Sequence, residues 1–202
     1  MARIFFAVAV SAEVGAALGS LGSKLKSHSG SDVLRFVEVH KAHFTLRFLG
    51  EQEPDRQAAA VRAGRAAAVG MAAFELGFAA LGVFPDERRP HTLWIGAGDG
   101  AVELTALAGR LASCLADEGF PDETRPFVPH LTLARVKRRP DRETLRAMLV
   151  AGPAVASQRV ESFTLMESAP DGGTVRYIPL ETFPLEIPCT PSKSPSTAAR
   201  KS

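Results

Sequence analysis

The chain has 202 residues, of which 46% are hydrophobic and 23% are charged, and 24 basic residues nearly balance 22 acidic ones. This composition is typical of a globular protein with one domain or two small lobes. The net charge of +2 is too small to predict tight nonspecific binding to nucleic acid. Two cysteines predict no disulfide framework, and no apolar run reaches the roughly 18 residues of a membrane span, so we expect a cytoplasmic protein without membrane contact.

Turn signals and hydrophobic periodicity predict strand pairs that alternate with helices. Strands are predicted at residues 3–10, 34–39, 43–49, 74–84, 92–96, 127–136, 157–167 and 174–182. Helices are predicted from Ser11 as N-cap to about residue 28, from Pro54 to 69, from Val102 to about 119 and from Asp141 to 149. Residues 187–202 are rich in proline, serine, threonine and lysine, which predicts a disordered tail after a single domain of residues 1–186.

This order of elements is not a strict succession of strand, helix and strand, so we expect an α+β fold with largely antiparallel sheets. One short motif occurs once in each half of the chain. We therefore expect a bilobal molecule, in which two similar lobes, each with a sheet and flanking helices, face each other across a central cleft.

The repeated motif is His43-Phe44-Thr45-Leu46, which returns as His130-Leu131-Thr132-Leu133. Side chains alternate between the two faces of a strand, so each histidine projects from the same face as the threonine two positions later. The pattern predicts two imidazoles and two hydroxyls on the facing surfaces of the lobes.

Three chemistries are disfavoured by what surrounds the motif. His40 and His43 are three residues apart on a predicted strand or its approach, where they do not share a face, and no carboxylate or cysteine completes a metal-ligand set at a recognised spacing. The sequence contains no Gly-x-Ser-x-Gly elbow and neither glycine pattern of a nucleotide-binding loop. We therefore expect neither a metal nor a cofactor.

Acid–base chemistry on a phosphodiester suits a pair of histidines. The unperturbed pKa of histidine is near 6.5, so at neutral pH one imidazole can accept a proton while the other donates one. On opposite sides of a phosphorus atom they would activate a water and protonate the leaving oxygen. Threonine hydroxyls would hydrogen-bond the nonbridging oxygens as charge shifts.

The chain resembles the bacterial and archaeal RNA 2′,3′-cyclic phosphodiesterases, also called 2′-5′ RNA ligases, of the two-histidine phosphoesterase superfamily. The resemblance covers about residues 2–186 and is carried by residues 3–8, 43–50, 84–94, 125–136, 160–163 and 167–168. It implies a bilobal fold and the opening of a terminal 2′,3′-cyclic phosphate on RNA, tRNA fragments included, to a 2′-phosphomonoester. It also implies 2′-5′ ligation as a reverse, secondary reaction. We expect a monomer.

The resemblance also implies roles for individual residues. His43 would be the general acid and His130 the general base, with Thr45 and Thr132 at the phosphate. Two further candidates are Phe48 and Arg135, each five residues after its histidine, which the resemblance places beside the terminal nucleobase. Strict strand alternation opposes this placement, because an offset of five reaches the opposite face. A bulge or a strand end would have to turn both side chains into the cleft.

Other readings of the same residues stay open. The protein would alternatively hydrolyse another small cyclic or 2′-5′ nucleotide, or bind RNA or nucleotides without catalysis. We interpret His40 as a surface or loop residue, His91 as a rim residue and Trp94 as core. The basic clusters at 88–89 and 137–139 are either solvated loops or guides for an RNA backbone.

Overall fold

The computed structural model describes residues 1–30, 32–152 and 155–187. Four α-helices and one 3₁₀ helix are present in this part of the chain: α1 (Ala12–Ser29), the 3₁₀ helix Val39–Lys41, α2 (Pro54–Ala68), α3 (Ala101–Asp117) and α4 (Arg142–Val150). The strands are β1 (Ala2–Ala9), β2 (Leu34–Phe36), β3 (His43–Gln52), β4 (Phe74–Leu76), β5 (Phe78–Phe84), β6 (Thr92–Ala97), β7 (His130–Val136), β8 (Gln158–Val160), β9 (Ser162–Asp171) and β10 (Thr174–Pro184).

The starts of the helices follow local signals in the sequence. The Ser11 side chain accepts a hydrogen bond from the Val14 N–H at the start of α1, and Asp141 caps α4 in the same way through the Thr144 N–H. These bonds satisfy backbone donors that the first turn of a helix leaves free. Pro54 occupies the first turn of α2, where its missing N–H has no cost. All four predicted helices are confirmed.

One antiparallel sheet organises the molecule, in the order β10-β9-β1-β3-β7-β6-β5, with β2 also paired to β7. The two halves of this sheet meet at a single register pair between β3 and β7, Phe44 with Leu131. One half contains His43 and the other contains His130. The predicted α+β fold with antiparallel sheets is thus confirmed, and the two predicted lobes correspond to the two halves of one sheet.

The core lies between this sheet and the helices. Helix α1 buries Val14, Leu18, Leu21 and Leu25, and α3 buries Leu104, Leu107, Leu111 and Leu115, both at helical spacing. Val102, at which we predicted the start of this helix, is 79% exposed. In the described residues, no helix is long and apolar enough to cross a membrane.

Several predicted strand limits were wrong. Strand β2 ends at Phe36, and a 3₁₀ helix covers residues 39–41. Strand β3 continues through Gly50, whose φ of 72° a glycine adopts without strain. The approach at 127–129 is irregular, and β7 begins at His130.

Two predicted long strands are each divided between two sheets. The stretch 74–84 is interrupted at Gly77, where β4 ends in a small sheet with β8 and β5 begins in the large one. The Gly77 N–H donates to the Asp99 carbonyl at 2.7 Å, which holds the crossing point. The stretch 157–167 is divided at residue 161 in the same way, between β8 and β9. The predicted tail lies outside the described residues except for Ile187, so the single domain of 1–186 and the tail stay predictions.

Candidate active site

The two His-x-Thr motifs begin the two neighbouring strands where the halves of the sheet meet. His43 is the first residue of β3 and His130 is the first residue of β7. Phe44 of β3 pairs with Leu131 of β7. His43 and His130, which come directly before these two residues, therefore lie beside the junction. Phe44 and Leu131 are fully buried, whereas both histidines and both threonines are partly accessible. The fold thus brings the two motifs together on the side of the sheet that faces away from the core.

Both imidazoles are held through the same ring nitrogen. His43 Nδ1 lies 2.7 Å from the Lys41 carbonyl oxygen, and His130 Nδ1 lies 2.8 Å from the Val128 carbonyl oxygen. A carbonyl only accepts hydrogen bonds, so Nδ1 carries the proton in each ring. In the neutral form, Nε2 is then the basic nitrogen of both histidines.

The ring of His43 packs among aromatic side chains. Its centroid lies 5.1 Å from that of Phe5 and 5.3 Å from that of Tyr177, whose ring is nearly perpendicular to it. Tyr177, on β10, also makes an edge contact with Phe5 at 5.0 Å. These contacts fix the imidazole plane from two sides.

The ring of His130 has an aromatic setting of its own. Phe84 meets it edge-on at 4.8 Å, and Trp94 lies 6.1 Å away and also packs on Phe84. Trp94 is half-buried beside the candidate site and not in the core, contrary to our interpretation. Its indole lies over Gly82, where an added Cβ would come within 2.2 Å of the ring.

Burial lowers the pKa of both histidines. The pKa of His43 falls mainly through desolvation; the bond to the Lys41 carbonyl opposes the shift and the neighbouring His130 adds to it. The pKa of His130 also falls mainly through desolvation; the bond to the Val128 carbonyl opposes the shift and the positive charge of Arg135 lowers it further. Both imidazoles are therefore mostly neutral at pH 7 in the free protein.

The threonines lie beside the histidines on the same strand face. Thr45 Oγ1 is 3.0 Å from His43 Nε2, so its hydroxyl donates to that nitrogen when the imidazole is neutral. Thr132 is opposite Trp94 of β6 and lies two residues after His130, on the same face. Two imidazoles and two hydroxyls thus occur together, as the motif predicted.

A bulge in β3 turns Phe48 toward the face of His43. In the pairing with β1, His43 is opposite Ala9 and Thr45 opposite Ala7, but the register then shifts so that Phe48 is opposite Phe5. Leu46 is the extra residue. Since Phe5, Ala7 and Ala9 share one face of β1, Phe48 shares the face of His43. Phe48 is 61% exposed and its ring packs on Phe5 at 5.5 Å.

Strand β7 contains a bulge at the matching motif position. His130 is opposite Gly96 and Thr132 opposite Trp94, but after a register shift Arg135 is opposite Thr92. Leu133 is the extra residue, and Leu133 and Ala134 are consecutively buried. Arg135 therefore points to the face of His130, and its Nη1 donates to Thr92 Oγ1 at 2.6 Å. The two bulges thus remove the conflict between strict strand alternation and the predicted positions of Phe48 and Arg135.

Sequence reasoning missed two residues of this surface. Arg35 of β2 is directly opposite Arg135 on β7 and is exposed on the same face. Tyr177 reaches His43 from β10 at the far edge of the sheet. The sequence signal that could have identified Arg35 and Tyr177 is an aromatic or basic side chain in a half-exposed strand. His40 is exposed in the 3₁₀ helix, 3.5 Å from Glu38, and His91 is exposed at the start of β6.

Candidate metal ligands do not assemble in the same region. Among the described residues, no three histidine, cysteine, aspartate or glutamate side chains are grouped as a metal site. Two backbone carbonyl oxygens and the Thr45 hydroxyl lie within hydrogen-bond distance of the two imidazoles.

An α+β fold with a His-x-Thr motif on each of two central strands defines a two-histidine phosphoesterase. The chain belongs to the 2′-5′ RNA ligase superfamily, whose family model matches residues 19–172. The predicted family is thus confirmed.

Curated relatives are named RNA 2′,3′-cyclic phosphodiesterase. The one from Aquifex aeolicus is 37% identical over 116 residues, which cover 57% of this chain and 61% of that protein. The one from Escherichia coli is 30% identical, with 91% of this chain and 96% of that protein covered. The crystal structure of E. coli LigT complexed with 3′-AMP matches with a TM-score of 0.75 and 30% identity, over 91% of this chain and 98% of LigT. These names bear out the prediction of a phosphodiesterase enzyme.

Proposed function

We propose that the protein hydrolyses the 2′,3′-cyclic phosphate at an RNA end to a 2′-phosphomonoester, by acid–base catalysis with His43 and His130. The observation that carries the proposal is the pair of imidazoles at the junction of the two half-sheets, each with Nδ1 bound to a carbonyl oxygen and Nε2 left as the basic nitrogen. The names of the relatives support the substrate, and the LigT complex supports nucleotide binding in the family.

The reaction balances with two imidazoles and one water. Neutral His130 Nε2 takes a proton from the water as its oxygen bonds to phosphorus. The bond between phosphorus and O3′ breaks, and protonated His43 Nε2–H donates its proton to O3′. His43 ends neutral and His130 ends protonated. The starting state is restored when His130 releases one proton to solvent and His43 takes one up.

The charges around the two histidines favour this division of roles. Desolvation is the main cause of the lowered pKa of both histidines, and at His130 the charge of Arg135 lowers the pKa further, which favours the neutral form that accepts a proton. Among the described residues, the charged neighbour that lowers the pKa of His43 is His130, so this contribution is absent while His130 is neutral. A bound phosphate anion would raise the pKa of His43 and supply the protonated acid.

The residues beside the histidines fit the remaining parts of the substrate. Thr45 and Thr132 would donate to the nonbridging oxygens, and Thr45 would leave His43 Nε2 to do so. Phe48 and Arg135 are exposed on the same face, one on each side of the junction, so a ring and a guanidinium are available to stack on the terminal base. The reverse reaction, with an RNA 5′-hydroxyl in place of water, would join ends, such as those of tRNA fragments, through a 2′-5′ linkage. The proposal requires one copy of the chain and no cofactor.

The test uses an oligonucleotide that ends in a 2′,3′-cyclic phosphate. His43→Ala and His130→Ala should each lower kcat by at least about 100-fold, the lower range for a general acid or base, while circular dichroism stays unchanged. His40→Ala is the matched control, because this exposed histidine lies three residues before His43. Full activity of either motif variant would overturn the mechanism.

Analysis of the product and treatment with EDTA complete the test. The product should have a 2′-phosphate, and EDTA should leave the rate unchanged. A 3′-phosphate product would reject the proposed leaving group. Turnover of another cyclic or 2′-5′ nucleotide in place of RNA ends would reject the substrate and keep the acid–base pair.

A further inference from the structure

Two loops beside the candidate active site contain the same tripeptide. The loop between β5 and β6 contains Arg88-Arg89-Pro90, and the loop between β7 and α4 contains Arg138-Arg139-Pro140. Both prolines are buried, whereas all four arginines are exposed. Each proline thus anchors the base of its loop and the guanidinium groups extend into solvent.

The two loops leave the sheet next to each other. Thr92 of β6 is paired with Arg135 of β7, and the Val136 N–H donates to the His91 carbonyl at 3.0 Å, where the first loop ends and the second begins. Between the loops and the start of α4 lies a cavity of about 660 Å³. It is lined by Asp86, Glu87, Arg88, Arg139, Pro140, Arg142 and Leu145.

The charges that line this cavity are mostly unneutralised cations. Among the described residues, the guanidinium groups of Arg88, Arg139 and Arg142 form no ion pair, whereas the adjacent Arg138 binds Asp32 at 2.8 Å. Asp86 is used inside its own loop, where its Oδ1 accepts from the N–H groups of residues 88 and 89. Glu87 is the other acid of the lining, so three guanidinium groups face two carboxylates, one of which is bonded within its own loop.

Strand β7 connects the cavity with the imidazole at its first residue. At about 3.3 Å per residue, the strand covers about 13 to 16 Å between His130 and Arg135. The exposed Arg35 and Arg135 are directly opposite each other along this path, on the face of His130. Like charges in directly opposite positions destabilise a sheet unless an anion lies between them. A basic track therefore leads from the imidazole to the cavity.

We propose that this track binds the sugar–phosphate backbone of RNA on the 5′ side of the cyclic phosphate, with the cavity between the Arg-Arg-Pro loops as its far end. The proposal rests on the proposed function for the position of the RNA end. Three guanidinium groups line the cavity, and guanidinium groups bind phosphate oxygens through paired N–H donors. The cavity lies beyond Arg135, which is itself about 13 to 16 Å from His130 along the strand, so only an RNA of more than one nucleotide reaches it.

The test compares substrates of increasing length. For the wild type, kcat/KM should rise from adenosine 2′,3′-cyclic phosphate to an adenylate tetramer or octamer with the same end, through a lower KM. Arg139→Ala and Arg142→Ala should each raise the octamer KM by about fivefold and leave the rate on the mononucleotide within twofold. For a single strand, each lost phosphate contact should also reduce the slope of log affinity against log salt by about 0.7.

Arg138→Ala is the matched control, since it removes the same charge from the same loop but from an arginine that is paired with Asp32. Its octamer KM should stay near that of the wild type. Equal losses for Arg138→Ala and Arg139→Ala, or equal losses on octamer and mononucleotide, would overturn the proposal.

A binding measurement separates this proposal from the proposed function. Fluorescence anisotropy of an octamer that ends in a 2′-phosphate reports the affinity without turnover. If the wild type hydrolyses no cyclic phosphate, the proposed function fails, but weaker binding by Arg139→Ala than by Arg138→Ala would still support the track. Equal binding by both variants would reject it whatever the turnover.

Discussion

Gly82→Ala should disturb the candidate active site through Trp94. An alanine Cβ at residue 82 would lie 2.2 and 2.4 Å from Cζ2 and Cη2 of the indole. An ordinary contact begins at 3.4 Å, so the ring would have to move by about 1.2 Å. Trp94 packs on Phe84, and both rings contact His130, so the movement reaches the imidazole.

The magnitude follows from two opposing effects on stability. Overpacking costs about 1–3 kcal/mol, and replacement of glycine in the unfolded chain returns about 0.4–1 kcal/mol. Gly82 does not have a positive φ, so backbone strain adds nothing. The free energy of unfolding should therefore fall by about 1 kcal/mol at the middle of both ranges, and by no more than about 2.6 kcal/mol. A displacement of about 1 Å near a catalytic group costs up to about 100-fold, so kcat/KM should fall by about 10- to 100-fold.

Gly96→Ala provides the matched control, because its Cβ would lie 3.4 Å from the same indole and 3.6 Å from the Ala80 carbonyl, which are ordinary contacts. Urea unfolding measures the free energy, and hydrolysis of a 2′,3′-cyclic nucleotide measures kcat/KM. The Gly96 variant should stay near the wild type in both. If Gly82→Ala is as stable and as active as Gly96→Ala, the steric argument is refuted.

Three further predictions concern titration, stacking and loop anchoring. Because the pKa of both His43 and His130 is lowered, the acid loses its proton at a lower pH than usual, so kcat/KM should peak on the acid side of about pH 6.5. Arg135→Gln should raise the pKa of His130 and move the acid limb of that profile to higher pH; an unchanged limb would contradict the role of Arg135. Phe48→Leu should raise KM by about 5- to 100-fold with an unchanged unfolding midpoint, because the ring is 61% exposed; unchanged KM would exclude stacking. Arg47→Met should lower the free energy of unfolding by about 1–3 kcal/mol, since Arg47 donates to the Pro121 carbonyl and holds the approach to His130; wild-type urea unfolding would show that this anchor is dispensable.

Periodicity and caps predicted most of the regular structure, since these signals are local. Ser11 and Asp141 start helices where a side-chain oxygen meets a free N–H, and this needs no knowledge of the rest of the molecule. The division of residues 74–84 at Gly77 was missed, because it depends on the carbonyl of Asp99 in another part of the chain. Apolar strand residues look alike whichever sheet they join.

The candidate site was predictable where it depends on the motifs and not where it depends on remote neighbours. His-x-Thr spacing placed each imidazole and hydroxyl on one face, and the register confirms that arrangement. Tyr177 and Arg35 come from strands whose neighbours the sequence does not specify. Phe48 and Arg135 were an intermediate case. Their offset of five residues from the histidines indicated an extra residue in each strand. The strand pairing identifies this residue as Leu46 in β3 and Leu133 in β7.

The matching bulges also explain how two nearly identical motifs can have different roles. Each bulge brings the fifth residue after the histidine back to the face of that histidine, and this residue is Phe48 in one strand and Arg135 in the other. The tether from Nδ1 to a carbonyl is the same in both, whereas the contact of Nε2 with the motif threonine is seen at His43. The fifth residue adds a difference in charge, because a guanidinium lowers the pKa of His130 beyond the larger effect of desolvation, whereas a phenyl ring adds no charge beside His43. On the proposed mechanism, the residue that each bulge delivers therefore contributes to the difference between the acid and the base.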